Sequence, residues 1–281
     1  MHQRSTRWRA LLGLFAVLAL LLAACGSDGG SDAGTDDATD AGEETTTTVA
    51  DEGEAAGPKV VASTSWVGGI AKLAGADDIT VIAPSNVQHP PDYEPTASDL
   101  AALAEADVIL LAGFEGFADR LREAAGSDAE VIEVTTAYDP EALHDQIHEL
   151  GEAFGTNDVA EERFEAYEAD YAAAAEELQA TTADLPQTIV AQMFVTEWVA
   201  FAGYEAAGTY GPEPTTPEQV ADLAALEPTL IFENVHMGGG DEVAEAAGVE
   251  KVDLVNFPGD DLDLLPVVEE NAALIAEAVG G

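Results

Sequence analysis

Short apolar runs alternate with amphipathic stretches along most of this chain. The runs at 60–63, 79–83, 108–111 and 131–134, and again at 188–192, 230–232 and 252–255, are only a few residues each. That length suits strands buried on both faces better than it suits helices. Between them apolar residues recur at three- and four-residue steps, the period of a helix with one buried face. Strands alternating with helices predict an α/β fold: two lobes, each a mostly parallel sheet flanked by helices.

The longest helical pattern covers residues 157–184. Phe164, Tyr167, Tyr171, Ala174 and Leu178 mark its apolar stripe, glutamates fill the other faces, and Leu185-Pro186 ends it. Asn157 or Asp158 is placed to cap its start. About 25 residues at 1.5 Å each span roughly 38 Å, enough to run along both lobes as one rigid connector with little hinge closure.

Comparison of the chain with itself supports a repeated design. DLAAL at 99–103 recurs at 222–226, each copy follows a Pro-Thr pair (Pro95-Thr96, Pro214-Thr215), and each precedes a short apolar run. The AAG triplets at 124–126 and 246–248 keep nearly the same offset. The expected division is a lobe at 58–156, the connector at 157–184 and a second lobe at 185–281.

The segment before residue 58 reads differently. Arg4, Arg7 and Arg9 precede an apolar core at 11–22 that is too short to span a bilayer comfortably, and LAAC at 22–25 supplies small residues for cleavage. Residues 1–25 are therefore expected to be an export signal. Cys25, the only cysteine, rules out an internal disulfide, and its place resembles the lipobox of bacterial lipoproteins, where the cysteine is acylated. Residues 26–57 are Gly, Asp, Glu, Thr, Ser and Ala with one large apolar residue, Val49, and read as a disordered acidic tether.

Charge narrows the partners. Asp and Glu number 55 against 9 Lys and Arg, a formal net charge of −46, and three of the nine basic residues lie in the export signal. Nucleic acid is excluded, because phosphate contacts need cationic side chains. An acidic surface suits high ionic strength and also attracts cations.

Candidate chemistry concentrates in loops that should leave the carboxyl ends of strands, where open α/β folds bind ligands. PSNVQHPPDYEPTASDLAAL at 84–103 follows an apolar run and holds His89 beside prolines that stiffen its backbone. His144 and His148 stand four apart and share a helix face. His236 precedes Met237 and three glycines, and Glu197 lies just beyond the run at 188–192 between apolar Val195 and Trp198. A carboxylate there is costly to bury without a cation, a hydrogen bond or water. Trp66 and Trp198 are either the dry wall of a cleft or inter-lobe core. Imidazole with carboxylate suits zinc or manganese, and the lack of a thiolate argues against copper(I).

With the loop, the repeat and the connector in view, the chain resembles the substrate-binding lipoproteins of zinc and manganese ABC transporters, the cluster A-I or TroA-like family. VVASTSWVGGIAKLAG, the YEPTASDL run, PEQVADLAALEPTLIFEN and the closing helix at 271–279 carry the resemblance. It implies a monomeric extracytoplasmic receptor, lipid-anchored to the outer face of the cell membrane, that hands zinc or manganese to an ABC permease. It also implies four ligand places. The family's first histidine position holds Pro91, with His89 or Asp92 as substitutes. The second follows Asp139-Pro140, where Glu141 stands and His144 is the first histidine. The third is Glu197. The fourth, after the last strand, offers Asn256 or Asp260. With His236, the candidate metal ligands are His89, His144, Glu197, His236, Asn256 and Asp260.

Three rivals stay open. A cobalamin or siderophore receptor shares the two-lobed plan and would use Trp66, Trp198 and Phe114, although six basic residues make a poor host for an anionic siderophore. A tethered surface adhesin would be indifferent to chelators. A metal hydrolase would need an open coordination position and a general base, and HExxH, GxSxG and P-loop patterns are all absent.

Overall fold

The computed structural model describes residues 57–280 apart from residue 127, so the export signal, Cys25 and all but the last residue of the tether lie outside the described residues. In chain order the first lobe contains β1 (Lys59–Thr64), α1 (Ser65–Leu73), β2 (Asp78–Ala83), α2 (Ala97–Leu103), β3 (Val108–Leu111), α3 (Ala118–Ala124), β4 (Glu130–Glu133) and α4 (Pro140–Phe154). The connector is α5 (Asn157–Thr182). The second lobe contains β5 (Ile189–Gln192), α6 (Thr196–Phe201), β6 (Ala206–Tyr210), α7 (Pro217–Ala224), β7 (Leu230–Asn234), α8 (Gly240–Ala247), β8 (Glu250–Leu254) and α9 (Leu265–Gly280).

All strand pairs are parallel, and the two sheets have one topology: β2-β1-β3-β4 and β6-β5-β7-β8. Two α/β lobes of matching design with a long helix between them is the architecture that the hydrophobic pattern predicts. Side-chain alternation explains the layering. Along β1, Val60 and Ala62 enter one core while Val61 enters another; along β5, Ile189 and Ala191 part from Val190 in the same way. The shared core gathers Trp66 and Ile70 of the first lobe, Phe164, Tyr167 and Leu178 of α5, and Trp198, Phe232 and Ile275 beyond it. Each sheet's opposite face is closed by its own helices, with Phe117 and Leu121 in the first lobe and Leu223 and Val243 in the second.

The connector is tied at both ends. Near its start Arg163 donates to the Lys72 carbonyl at 2.6 Å, and near its end Gln179 donates to the Phe201 carbonyl at 3.0 Å and Thr182 to the Ala202 carbonyl at 3.0 Å. Its cap differs from the expectation of Asn157 or Asp158. Gly155, at φ 72°, ends α4, and the chain re-enters a helix so soon that Thr156 holds the cap position. The Thr156 hydroxyl donates across to the Ala74 carbonyl at 2.7 Å instead of capping α5.

The repeated pentapeptide sits at equivalent places before β3 and β7, yet its helices begin one turn apart. In α2, Thr96 is the N-cap and Asp99 of DLAAL closes a capping box with it. In α7 the box is Thr216 with Gln219, so Asp222 falls inside the helix. The cap preceding α7 is therefore Thr216, one residue beyond the Pro214-Thr215 pair. Thr216→Ala is expected to cost about 1 kcal/mol, read as a lower urea midpoint at unchanged slope; a change below about 0.3 kcal/mol would show that α7 is held by packing alone.

One strand, β6, escapes the hydrophobic pattern. It reads AAGTY and buries only Tyr210 fully, because an edge strand needs little beyond backbone pairing, here to β5.

Candidate metal centre

All eight strands direct a carboxyl end at one cavity of about 510 Å³. Trp66 follows β1, His89 and Pro91 follow β2, Phe114 follows β3 and Thr136 follows β4. From the second lobe come Glu197 after β5, Pro212 after β6, Asn234 and His236 at the end of β7, and Asn256 and Phe257 after β8. Parallel sheets put all their loops at the same edge, so two such sheets facing each other make one cleft.

His89 stands before a single 3-10 turn, Pro90–Asp92, whose two prolines hold its backbone. Asp92 Oδ2 lies 2.9 Å from His89 Nδ1, and Met237 Sδ lies 3.0 Å from its Nε2. His236 reaches across the lobes: its Nδ1 lies 3.0 Å from the Gln88 carbonyl, and Gln88 in turn donates its side-chain amide to the Val235 carbonyl at 2.8 Å. A carbonyl only accepts, so Nδ1 of His236 carries the hydrogen and a neutral ring leaves Nε2 bare. That Nε2 is buried without a hydrogen-bond partner. A metal-binding imidazole is set up in this way, one nitrogen held by the protein and the other free. Burial pulls the His236 pKa down, against the Gln88 carbonyl that raises it and with help from neighbouring His89. Phe257 packs edge-on against the His236 ring at 4.8 Å.

Glu197 is in the first turn of α6, and its Oε2 accepts from the Tyr138 backbone N–H at 3.1 Å. Desolvation pushes its carboxyl up to about 7, opposed by the backbone N–H groups of Tyr138 and Asp139 and reinforced by the Asp139 charge. A cation in the cleft would favour the ionised form. Asn256 donates its amide N–H to the Phe194 carbonyl at 3.0 Å, which leaves Oδ1 buried and unpartnered.

The structure thus brings His89, Glu197, His236 and Asn256 to one cavity wall and leaves two expected ligands elsewhere. His144 is on α4, where its ring stacks edge-on with His148 at 4.8 Å and with Phe164 of α5 at 5.7 Å. Asp139-Pro140 opens α4 directly, so the helix carries His144 away from the cleft. Asp260 is exposed and accepts from Ser85 at 2.6 Å, where it serves as an inter-lobe clasp. Asp92 touches His89 without lining the cavity. Among the described residues no three His, Cys, Asp or Glu side chains stand together closely enough to hold an ion. Of the two tryptophans, Trp66 both lines the cavity and enters the core, whereas Trp198 is wholly core. Met237 is a wall residue outside the expected ligands; its only signal in the sequence is the His-Met pair just beyond a strand.

Comparison with known proteins agrees with this picture. Residues 60–158 match the family model described as "ZnuA: Zinc-uptake complex component A periplasmic". The manganese-binding lipoprotein MntA of Halalkalibacterium halodurans is 34% identical over 127 residues, 44% of this chain, and the match spans 35% of that relative's length. Among solved structures, the substrate-binding protein FpvC of Pseudomonas aeruginosa in complex with Ni2+ matches with a TM-score of 0.62 at 19% identity, over 79% of this chain and 96% of that one. The Cd-bound periplasmic metal binding protein of Candidatus Liberibacter asiaticus matches with a TM-score of 0.61 at 13% identity, over 78% and 98%. By sequence the first lobe of this chain matches the zinc-uptake component A family, and by shape its two lobes carry the fold of the periplasmic metal-binding proteins.

Proposed function

We propose that this chain is an extracytoplasmic solute receptor that takes up a divalent ion, zinc or manganese, in the inter-lobe cleft and delivers it to an ABC transporter permease. His89 and His236 would bind through Nε2, and Glu197 and Asn256 Oδ1, which line the same cavity but stand too far off to share an ion as they are, would be drawn in as it binds. A lipid on Cys25 would hold the protein, as a monomer, at the outer face of the membrane. It would be a carrier and not an enzyme. The observation that carries this reading is the convergence of eight strand ends on a cavity whose wall holds two adjacent imidazoles, one with a bare and unpartnered nitrogen. A manganese-binding relative and a structural neighbour in complex with Ni2+ support a divalent transition-metal ion.

A second reading has one observation in its favour. A cavity of about 510 Å³ exceeds what a bare ion needs, and Phe114, Met193 and Phe194 expose apolar surface at its wall. A metal held in an organic ring, such as a cobamide, would use both. Thermal melts separate the two: after EDTA treatment, zinc or manganese at a hundred times its dissociation constant is expected to add about 2.7 kcal/mol of stability. Stabilisation by cobamide with no response to either ion would replace the first reading with the second.

A further inference from the structure

Met237 follows His236 in the turn beyond β7, and Gly238 and Gly239 come next at φ 77° and 106°, a backbone that turns sharply behind the sulfur. Its Sδ lies 3.0 Å from Nε2 of His89, which comes from the other lobe, 148 positions earlier. Both neighbours of the His89 ring are acceptors: the thioether at Nε2, and the Asp92 carboxylate 2.9 Å from Nδ1, although the latter contact lacks hydrogen-bond geometry and leaves Nδ1 without a hydrogen-bond partner. A neutral imidazole has one hydrogen and can serve only one of them. A cation bound to both Nε2 and Sδ, beside rather than between them, would satisfy the second while leaving the Nδ1 hydrogen on the Asp92 side, the arrangement that orients metal-bound histidines.

We propose that Met237 is a direct ligand and that its thioether joins the Nε2 atoms of His89 and His236 in a donor set of two nitrogens and one sulfur. This set tilts the cleft toward soft and borderline ions, copper(I) and cadmium, relative to manganese. The inference rests on the reading of the cleft as a metal site and shifts its preference from manganese toward softer ions. A thioether is a soft donor that an oxygen-preferring ion such as manganese gains little from, whereas copper(I) and cadmium gain a bond. Glu197 and Asn256 offer the hard oxygens on the same wall, so the sulfur is the element that discriminates. The missing thiolate therefore does not exclude copper(I), because a thioether supplies the sulfur.

The test uses the full chain and buffered copper(I), Cd2+ and Mn2+. Met237→Leu is expected to weaken copper(I) and Cd2+ binding about tenfold or more while leaving Mn2+ within about threefold. X-ray absorption of the Cd2+-loaded parent should show a sulfur neighbour that disappears in Met237→Leu and persists in Met193→Leu, the other thioether on the wall. An unchanged ratio of Cd2+ to Mn2+ affinity in Met237→Leu, or a sulfur signal lost with Met193 instead, overturns the role of Met237 and leaves the receptor reading intact. A parent chain that binds none of the three ions, and no Zn2+ either, overturns both.

Discussion

Trp198→Ala is expected to destabilise the protein by about 3–5 kcal/mol, the largest single-site loss in stability on the described chain. The indole is fully buried and lies 5.1 Å from the Tyr138 ring, which itself stacks on Trp66 at 5.0 Å, while Phe201 packs edge-on from the other side at 5.5 Å. Tyr138 is held in place by donating to the Asn256 carbonyl at 2.9 Å and by accepting at its own carbonyl from Tyr167 of the connector at 2.6 Å. Removing Trp198 would open a cavity at the point where α1, α5 and α6 meet, and rigid neighbours on all sides prevent collapse into it. Trp198→Phe should cost no more than about 2 kcal/mol, because a ring remains and the indole N–H, buried without a partner, is gone. Urea unfolding of both variants checks this, and the shared core predicts a single transition for the two lobes. A loss below about 1 kcal/mol for Trp198→Ala would show that the aromatic stack does not join the lobes energetically.

His89→Ala and His236→Ala are each expected to weaken ion binding on the order of a hundredfold, since even residues one shell behind a metal ligand typically cost 10–100-fold. His144→Ala is expected to stay within about threefold of the parent, because its ring packs on α4 and α5 away from the cleft. Competition titration against a chelator of known affinity reads all three. The reverse ranking, with His144 essential and His236 dispensable, would return the site to the arrangement that the resemblance implies and would contradict the placement of α4. His236→Ala also breaks the contact to the Gln88 carbonyl, so Gln88→Ala is the control for the clasp between the lobes. That variant should change affinity much less than loss of the imidazole.

The fold was legible from the chain because its signals are local and repeated. Strands buried on both faces must be continuous apolar runs, and a helix lying across two lobes must show a long three- and four-residue stripe, so Val60, Val108, Ile189 and Leu230 mark central strands without reference to anything distant. The strand β6 was not legible, since pairing with β5 and one buried Tyr210 leave no apolar run to read. The site was legible only in part. Loops after strands mark where ligands bind, and Glu197, His89 and His236 follow from that rule and from residue type.

Residue type and spacing by themselves determined the lobes, the connector and the region of the cleft, because backbone periodicity and burial depend on near neighbours in the chain. Only the tertiary structure decided which side chains share a wall. The direction in which α4 departs keeps His144 off the cavity wall, the hydrogen bond from Ser85 keeps Asp260 at the exposed surface, and Met237 meets His89 across 148 positions. Such meetings depend on how two sheets are packed against each other, and that packing is written in the whole core rather than in any one stretch.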